Sequence, residues 1–177
     1  MPLIEYGHLD FGENKVQEAI DKWSDIKLNF PKIKLHLIGK LQTNKVKFAV
    51  KIFDYIHSVD SEKLAKKIAD EEIKINKEIK IFIQVNIGNE QQKSGINKSQ
   101  LQDFYLFCKK INLNIVGLMC IPPIDQDTIS FFKEMQTLTH DLKLNELSMG
   151  MSSDYIEAAR YSSTFLRIGS GIFGQRG

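Results

Sequence analysis

The chain has 177 residues, of which 42% are hydrophobic and 26% are charged, an ordinary composition for one globular domain with a sizeable core. No apolar run approaches the ~20 residues that a membrane-spanning helix needs, and the N-terminus lacks the pattern of a secretory signal. These features exclude a membrane-spanning protein, so we expect a cytoplasmic protein with no membrane partner.

The charges of the chain give little sign of a nucleic-acid partner. The formal net charge is +2, and only Arg160, Arg167 and Arg176 among the 24 basic residues are arginines. Lysines spread over amphipathic segments are typical of solvated helix faces, so we expect no nucleic acid as partner. Cys108 and Cys120 lack the spacing of metal or redox sites, and we expect no metal.

Short apolar runs alternate with amphipathic segments along the whole chain. One apparent turn of helix ends near Gly7. The apolar runs predict seven strands, over residues 9–14, 34–39, 55–60, 80–87, 115–121, 146–152 and 165–172. The intervening segments carry apolar residues at helical spacing and predict helices. Ser61 is a plausible N-cap of one of these helices, and Ser152 or Ser153 of another.

Regular strand and helix alternation predicts parallel strands joined by crossover helices in a single α/β domain over residues 1–177. Seven such units are one fewer than in a (β/α)₈ TIM-type barrel. An open doubly wound sheet is the rival architecture. Its first strand-to-helix turn usually carries a glycine-rich fingerprint, whereas the FGEN segment here has a single glycine, which favours the barrel.

Residue alternation along the strands predicts a polar interior. Within residues 80–87, Phe82, Gln84 and Asn86 share one face, and the isoleucines and Val85 share the other. The same alternation separates polar from apolar residues in the strands that contain His36, Ser148 and Arg167. The polar faces should meet inside the barrel and form the binding pocket.

The ends of the last two predicted strands carry the strongest chemical signal. They read MGMSSD and RIGSG, in which small residues let backbone N–H groups approach an anion and serine hydroxyls add donors. Phosphate groups are commonly held at these positions of a barrel. Either segment alone could merely form a turn or cap a helix, but together they favour a phosphate site.

Three further side chains are candidates for the pocket. Arg167 lies on an inward face and needs a partner, which could be a ligand or a structural carboxylate. Asn14 ends the first strand, where it could cap the next helix or offer its amide to a ligand. His36 could be a ligand contact or a satisfied core histidine.

At these residues the chain resembles the pyridoxal phosphate homeostasis proteins (YggS-like), relatives of the alanine racemase N-terminal barrel. The matching segments are DFGENKVQEA, HLIGKLQTNK, IHSVDSEKLA, QVNIGNEQQKSGI, GLMCIPP, LSMGMSSD and RIGSGIFGQR, in order from Asp10 to Arg176. The resemblance implies a monomeric (β/α)₈ barrel that binds pyridoxal 5'-phosphate (PLP) and buffers it or delivers it to PLP-dependent apoenzymes. It implies no well-established catalytic reaction.

The resemblance also implies roles for particular residues. Ser152, Gly169 and Ser170 would hold the phosphate, and Arg167 would face the pyridine nitrogen, which would keep that nitrogen unprotonated. Asn14 would lie beside the ring. His36 and Met119 would line the pocket.

One departure from the family pattern concerns covalent chemistry. The family bears its Schiff-base lysine on the first barrel strand, upstream of the FGEN segment, and no such segment occurs in this sequence. We therefore expect a barrel lacking the first strand and its preceding helix, with no catalytic residue assigned. Lys34 and Lys80 begin their strands and Lys40 and Lys45 lie in or beyond a loop, so none is a convincing replacement.

The sequence is compatible with three functions. The leading hypothesis is a PLP-binding homeostasis protein. A PLP-dependent enzyme of the alanine racemase type would need a lysine that this sequence does not offer. A barrel enzyme acting on a phosphorylated small molecule would be served by the phosphate segments alone, but no general base is apparent for it.

Overall fold

Strands and helices alternate along the chain in the predicted order. The structure, a computed structural model, describes residues 2–123 and 126–174. Its strands are β1 Asp10–Glu13, β2 Lys34–Leu37, β3 Tyr55–Val59, β4 Lys80–Val85, β5 Asn114–Cys120, β6 Glu146–Met151 and β7 Phe165–Arg167. Its α-helices are α1 Pro2–Glu5, α2 Val16–Asn29, α3 Val46–Ile52, α4 Glu62–Ile75, α5 Leu101–Lys110, α6 Thr128–Asp141, α7 Tyr155–Arg160 and α8 Ser170–Phe173.

Helix α4 shows how the local sequence sets an element. The Ser61 hydroxyl accepts a hydrogen bond from the Leu64 N–H at 3.4 Å, which confirms Ser61 as the N-cap. Leu64 and Ile68 lie one turn apart and are buried against the sheet. The helix ends at Asn76, which adopts a left-handed conformation with φ of 48°, a backbone region that asparagine tolerates better than most residues.

Two predictions near the C-terminus of the chain are wrong. The strand predicted over residues 165–172 ends at Arg167, because the N–H groups of Ile172 and Phe173 turn back to the Gly169 carbonyl and form the short helix α8. Neither Ser152 nor Ser153 caps α7, which instead follows Asp154. The Asp154 carboxylate accepts a hydrogen bond from the Met151 N–H at 2.6 Å and closes the turn before the helix.

The seven strands of the described residues form one parallel sheet in the sequential order β1 to β7. The sheet curls into a barrel, since the Phe165 ring on β7 lies 5.3 Å from the His36 ring on β2 and 5.4 Å from the Phe82 ring on β4. The barrel prediction is therefore confirmed over the doubly wound alternative. No ladder joins β1 to β7 within residues 2–123 and 126–174, so the barrel is open between these two strands.

The alternation along the strands separates two packing layers, as predicted. Ile81, Ile83 and Val85 are buried in the main hydrophobic cluster between the sheet and the surrounding helices. Phe82 faces the barrel interior, where its ring stacks on His57 with the centroids 4.2 Å apart. In the part of the chain that the structure describes, no helix combines the length and apolar character needed to span a membrane.

Candidate functional site

A cavity of about 810 Å³ lies at the opening between β1 and β7. It is lined by residues of both edge strands and of the segments that follow them. These include Asp10, Glu13, Asn14, Phe165, Arg167, Ile168 and Gly169. The carboxyl ends of parallel barrel strands are the usual place for a binding site, and residues that follow the carboxyl ends of β1 and β7 line this cavity.

Arg167 presents a cation to this cavity. Its guanidinium donates one hydrogen bond to the Ser148 hydroxyl and one to the Cys120 carbonyl oxygen, both at 2.8 Å. Burial lowers the pKa of the guanidinium, which nevertheless stays charged near neutral pH. Among the described residues Arg167 has no ion-pair partner, and a guanidinium has five N–H groups, so donors remain for a ligand in the cavity.

Two backbone N–H groups and one hydroxyl converge beside the cavity. The N–H groups of Gly169 and Gly171 both point to the Ser152 hydroxyl oxygen, each at 3.3 Å. Ser170 lies between the two glycines as the first residue of α8. This cluster joins the MGMS and RIGS segments, and its convergent donors are suited to the oxygens of a phosphate group.

His36 lies in the cavity wall and is buried, with 4% of its surface exposed. Its Nε2 is 3.1 Å from the Asp10 carboxylate and its Nδ1 is 3.0 Å from Nε2 of His57. Burial lowers the pKa of His36. Burial, together with the repulsion that a protonated His57 would meet from a protonated His36 and from Arg167, lowers the pKa of His57 well below the usual value for histidine. Both imidazoles are therefore neutral at neutral pH.

The other two candidate residues have different surroundings. Asn14 is exposed at the end of β1 and lines the cavity. Its carbonyl oxygen lies so close to Gly39 that a Cβ atom there would approach it to 2.2 Å, so only glycine fits at that position. Met119 is buried beside Ser148 in the sheet and is not among the described residues that line the cavity.

The sequence did not single out several residues of this cavity. The Trp23 indole N–H and the Lys22 ammonium both donate to the same Glu13 carboxylate oxygen, at 2.7 and 2.9 Å. Lys22 and Trp23 lie on α2, and no other lysine in the described ranges lines the cavity. Their signal in the sequence is weak, because Trp23 fits the apolar spacing of a core helix residue and Lys22 that of a solvated one.

Two further residues, His57 and Ser148, connect Arg167 to His36. His57 Nδ1 lies 2.9 Å from the Ser148 hydroxyl, across 91 positions of the sequence. Ser148 was predicted to face inward by strand alternation, and the same rule applied to β3 would have placed His57 inward with Tyr55. The site thus combines an anion cradle, formed by the converging groups of Ser152, Gly169 and Gly171, with the half-buried cation of Arg167 and a neutral histidine pair. It is suited to a small phosphorylated ligand with a hydrogen-bond acceptor.

The chain is similar to known proteins over nearly its whole length. The family model described as "Alanine racemase, N-terminal domain" matches residues 1–177. The pyridoxal phosphate homeostasis protein of Vibrio alginolyticus is 34% identical over 99% of this chain and 80% of its own length. That of Aquifex aeolicus is 36% identical over 94% of this chain and 76% of its own length.

A solved structure is similar as well. PipY of Synechococcus elongatus, determined with PLP bound, superimposes with a TM-score of 0.89 at 34% sequence identity. The match covers 98% of this chain and 85% of PipY.

Proposed function

Because the chain belongs to the pyridoxal phosphate homeostasis proteins of the alanine racemase N-terminal domain family, we propose that it binds PLP in the cavity between β1 and β7. It would buffer PLP in the cytoplasm and deliver it to PLP-dependent apoenzymes. The observation that carries this proposal is the half-buried guanidinium of Arg167, which has no ion-pair partner among the described residues and lines the same cavity as Gly169.

The residues present fit the two polar ends of PLP. Ser152, Gly169 and Gly171 supply two N–H groups and a hydroxyl that would hold the phosphate, with Ser170 adjacent. The remaining N–H groups of Arg167 would donate to the pyridine nitrogen, and the amide of Asn14 would lie beside the ring. Bound PLP supplies an electron-accepting ring, and a donor cation at its nitrogen keeps that nitrogen unprotonated and weakens this property. Such a site suits storage of PLP better than broad amino-acid chemistry.

Two lining candidates have different support. His36 lies in the cavity wall and joins Arg167 through His57 and Ser148. Met119 is buried next to Ser148 and is not among the described residues that line the cavity, so it would support the cavity wall without contacting PLP. We therefore assign the direct contacts with PLP to Asn14, Ser152, Arg167, Gly169 and Ser170.

A fluorescence titration tests PLP binding directly. Trp23 is the sole tryptophan of the chain and lines the cavity, and bound PLP absorbs in the range of tryptophan emission. We expect PLP to quench this emission saturably with one site per chain, and pyridoxal without the phosphate to bind more weakly. Quenching that only matches a free tryptophan derivative at equal absorbance would contradict the proposal.

We further expect this chain to hold PLP without a stable covalent bond. Lys22 is the lysine of the cavity wall, but its ammonium is engaged by Glu13 and lies 5.1 Å from the centre of the Trp23 ring. Borohydride reduction of the PLP-loaded chain, followed by peptide mass spectrometry, should find no stoichiometric adduct on a single lysine.

A Lys22→Met variant serves as the matched control for the reduction. An adduct on one lysine of the wild-type chain would overturn the expectation of non-covalent binding, and its loss in Lys22→Met would identify the site. If the chain also racemised alanine faster than free PLP does, the racemase-type alternative would replace the homeostasis function.

A further inference from the structure

A linear network of hydrogen bonds, termed the file, crosses the barrel interior from the surface to Arg167. Asp10 contacts His36 at 3.1 Å, His36 contacts His57 at 3.0 Å, and His57 contacts the Ser148 hydroxyl at 2.9 Å. Ser148 in turn accepts from Arg167 at 2.8 Å. The five residues come from β1, β2, β3, β6 and β7, so the file spans the whole interior.

The residues at the two ends of this file determine which partner donates in each of its hydrogen bonds. An ionised carboxylate only accepts hydrogen bonds and a guanidinium only donates them. His36 must therefore carry its proton on Nε2, which faces Asp10, and a neutral His36 then accepts at Nδ1. His57 must donate from its Nε2, which leaves its Nδ1 to accept the proton of the Ser148 hydroxyl.

If the hydrogen bonds of the file ran in the opposite direction, two acceptors would face each other at the Asp10 carboxylate. If His57 carried its proton on Nδ1, its Nε2 would accept from Nδ1 of His36. The bare Nε2 of a neutral His36 would then face the Asp10 carboxylate, and two acceptors would meet at 3.1 Å. A doubly protonated His36 would avoid this conflict, but burial disfavours the charged form of His36.

The ring contacts hold the imidazoles in the planes that this file requires. The His57 ring stacks on Phe82 with the centroids 4.2 Å apart and the planes inclined by 19°. The His36 ring stacks on Tyr55 at 4.2 Å and 10°. Rotation of either ring would break a stack and two hydrogen bonds together.

We propose that His57 and Ser148 are positioning residues for Arg167, and that Asp10 orients them through His36 by keeping both imidazoles in the Nε2–H tautomer. In this arrangement the Ser148 proton points to His57, so the hydroxyl oxygen presents its lone pairs to the guanidinium. The guanidinium is thereby held with its remaining donors toward the cavity. The consequence for the ligand rests on the proposed function, whereas the tautomers are a property of the protein alone.

Nitrogen NMR of the ligand-free protein tests the tautomers without PLP. In protein labelled with ¹⁵N-histidine, two-bond correlations between ring protons and ring nitrogens distinguish a protonated from a bare nitrogen. We expect Nε2–H and bare Nδ1 for both His36 and His57 at neutral pH. A protonated Nδ1 on His57 would overturn the proposal, whether or not PLP binds.

The Asp10→Asn variant tests the link from the surface to Arg167. Half of the Asp10 side chain is exposed, at 51%, so the change should leave the fold intact. An asparagine can donate or accept, so we expect an Nδ1–H population of His57 to appear and the dissociation constant of PLP to rise about threefold to tenfold. Unchanged tautomers together with unchanged PLP affinity would contradict the role of Asp10.

Two controls separate positioning from general effects. Asp25→Asn removes an exposed carboxylate of α2 outside the file, and it should alter neither the tautomers nor PLP binding. His57→Phe keeps an aromatic ring against Phe82 but interrupts the file. It should weaken PLP binding about tenfold while leaving the anion cradle unchanged. PLP affinity that is equal in His57→Phe and wild type would overturn the positioning role, whereas wild-type protein that binds no PLP would overturn only the proposed function.

Discussion

The double variant Ser152→Ala/Gly169→Asp is expected to lose PLP binding, with a dissociation constant raised at least about a hundredfold. Ser152→Ala removes the hydroxyl on which the Gly169 and Gly171 N–H groups converge. Gly169→Asp places a carboxylate where a Cβ atom meets nothing within 4 Å, so the fold should accept the change while the charge repels the phosphate. Each hydrogen bond to a charged group is worth about 1.5–3 kcal/mol, and about 1.4 kcal/mol corresponds to a tenfold change in affinity.

Matched variants and ligands distinguish charge from bulk in this experiment. Gly169→Asn adds a side chain of nearly the same size without the charge, so it should weaken PLP binding less than Gly169→Asp does. Pyridoxal, which lacks the phosphate, should bind the wild type and the double variant equally. Titration by Trp23 fluorescence measures all of these affinities, and PLP affinity that is unchanged in the double variant would refute the assignment of the phosphate site.

The Arg167→Met variant is expected to bind PLP about 10–100 times more weakly and to remain folded. The substitution removes the charged donor that would face the pyridine nitrogen. It also deprives the Ser148 hydroxyl and the Cys120 carbonyl of a partner, but it relieves the cost of a half-buried cation without an ion-pair partner among the described residues. Because these effects on stability oppose each other, the free energy of unfolding should change by no more than about 2 kcal/mol.

Arg160→Met is the matched control for this variant. Arg160 is exposed on α7 and pairs with Glu157, so its replacement should change neither PLP affinity nor stability by a measurable amount. Urea unfolding and PLP titration on the same preparations check both quantities. Full PLP affinity in Arg167→Met would show that the guanidinium does not contact the ligand.

Much of the fold could be predicted because the relevant signals are local. Apolar alternation along β4 separates Ile81 and Ile83 from Phe82, and the structure packs these residues on opposite faces of the sheet. The hydroxyl of Ser61 caps the helix that follows it, as predicted. Each of these features depends on residues a few positions apart, so each can be inferred from the sequence.

The end of the last strand could not be predicted in the same way. Residues 165–172 have the apolar content of a strand, but the backbone N–H groups of Ile172 and Phe173 bond to the Gly169 carbonyl instead of a neighbouring strand. Whether a strand continues its hydrogen-bond ladder depends on whether a neighbouring strand lies beside it, and the local sequence does not show this. The same choice frees the Gly169 and Gly171 N–H groups to meet Ser152 and so creates the anion cradle.

The sequence by itself determined the alternating strands and helices, the polar inner faces, and the two segments, MGMS and RIGS, whose hydrogen-bonding groups converge at Ser152. Only the tertiary structure decided that Asp10, His36, His57, Ser148 and Arg167 form one file, since its longest step joins residues 91 positions apart. Strand periodicity tells which way a side chain points but not what it meets. The curvature of the sheet sets the partners, because it brings β7 across the interior to β2 and β4.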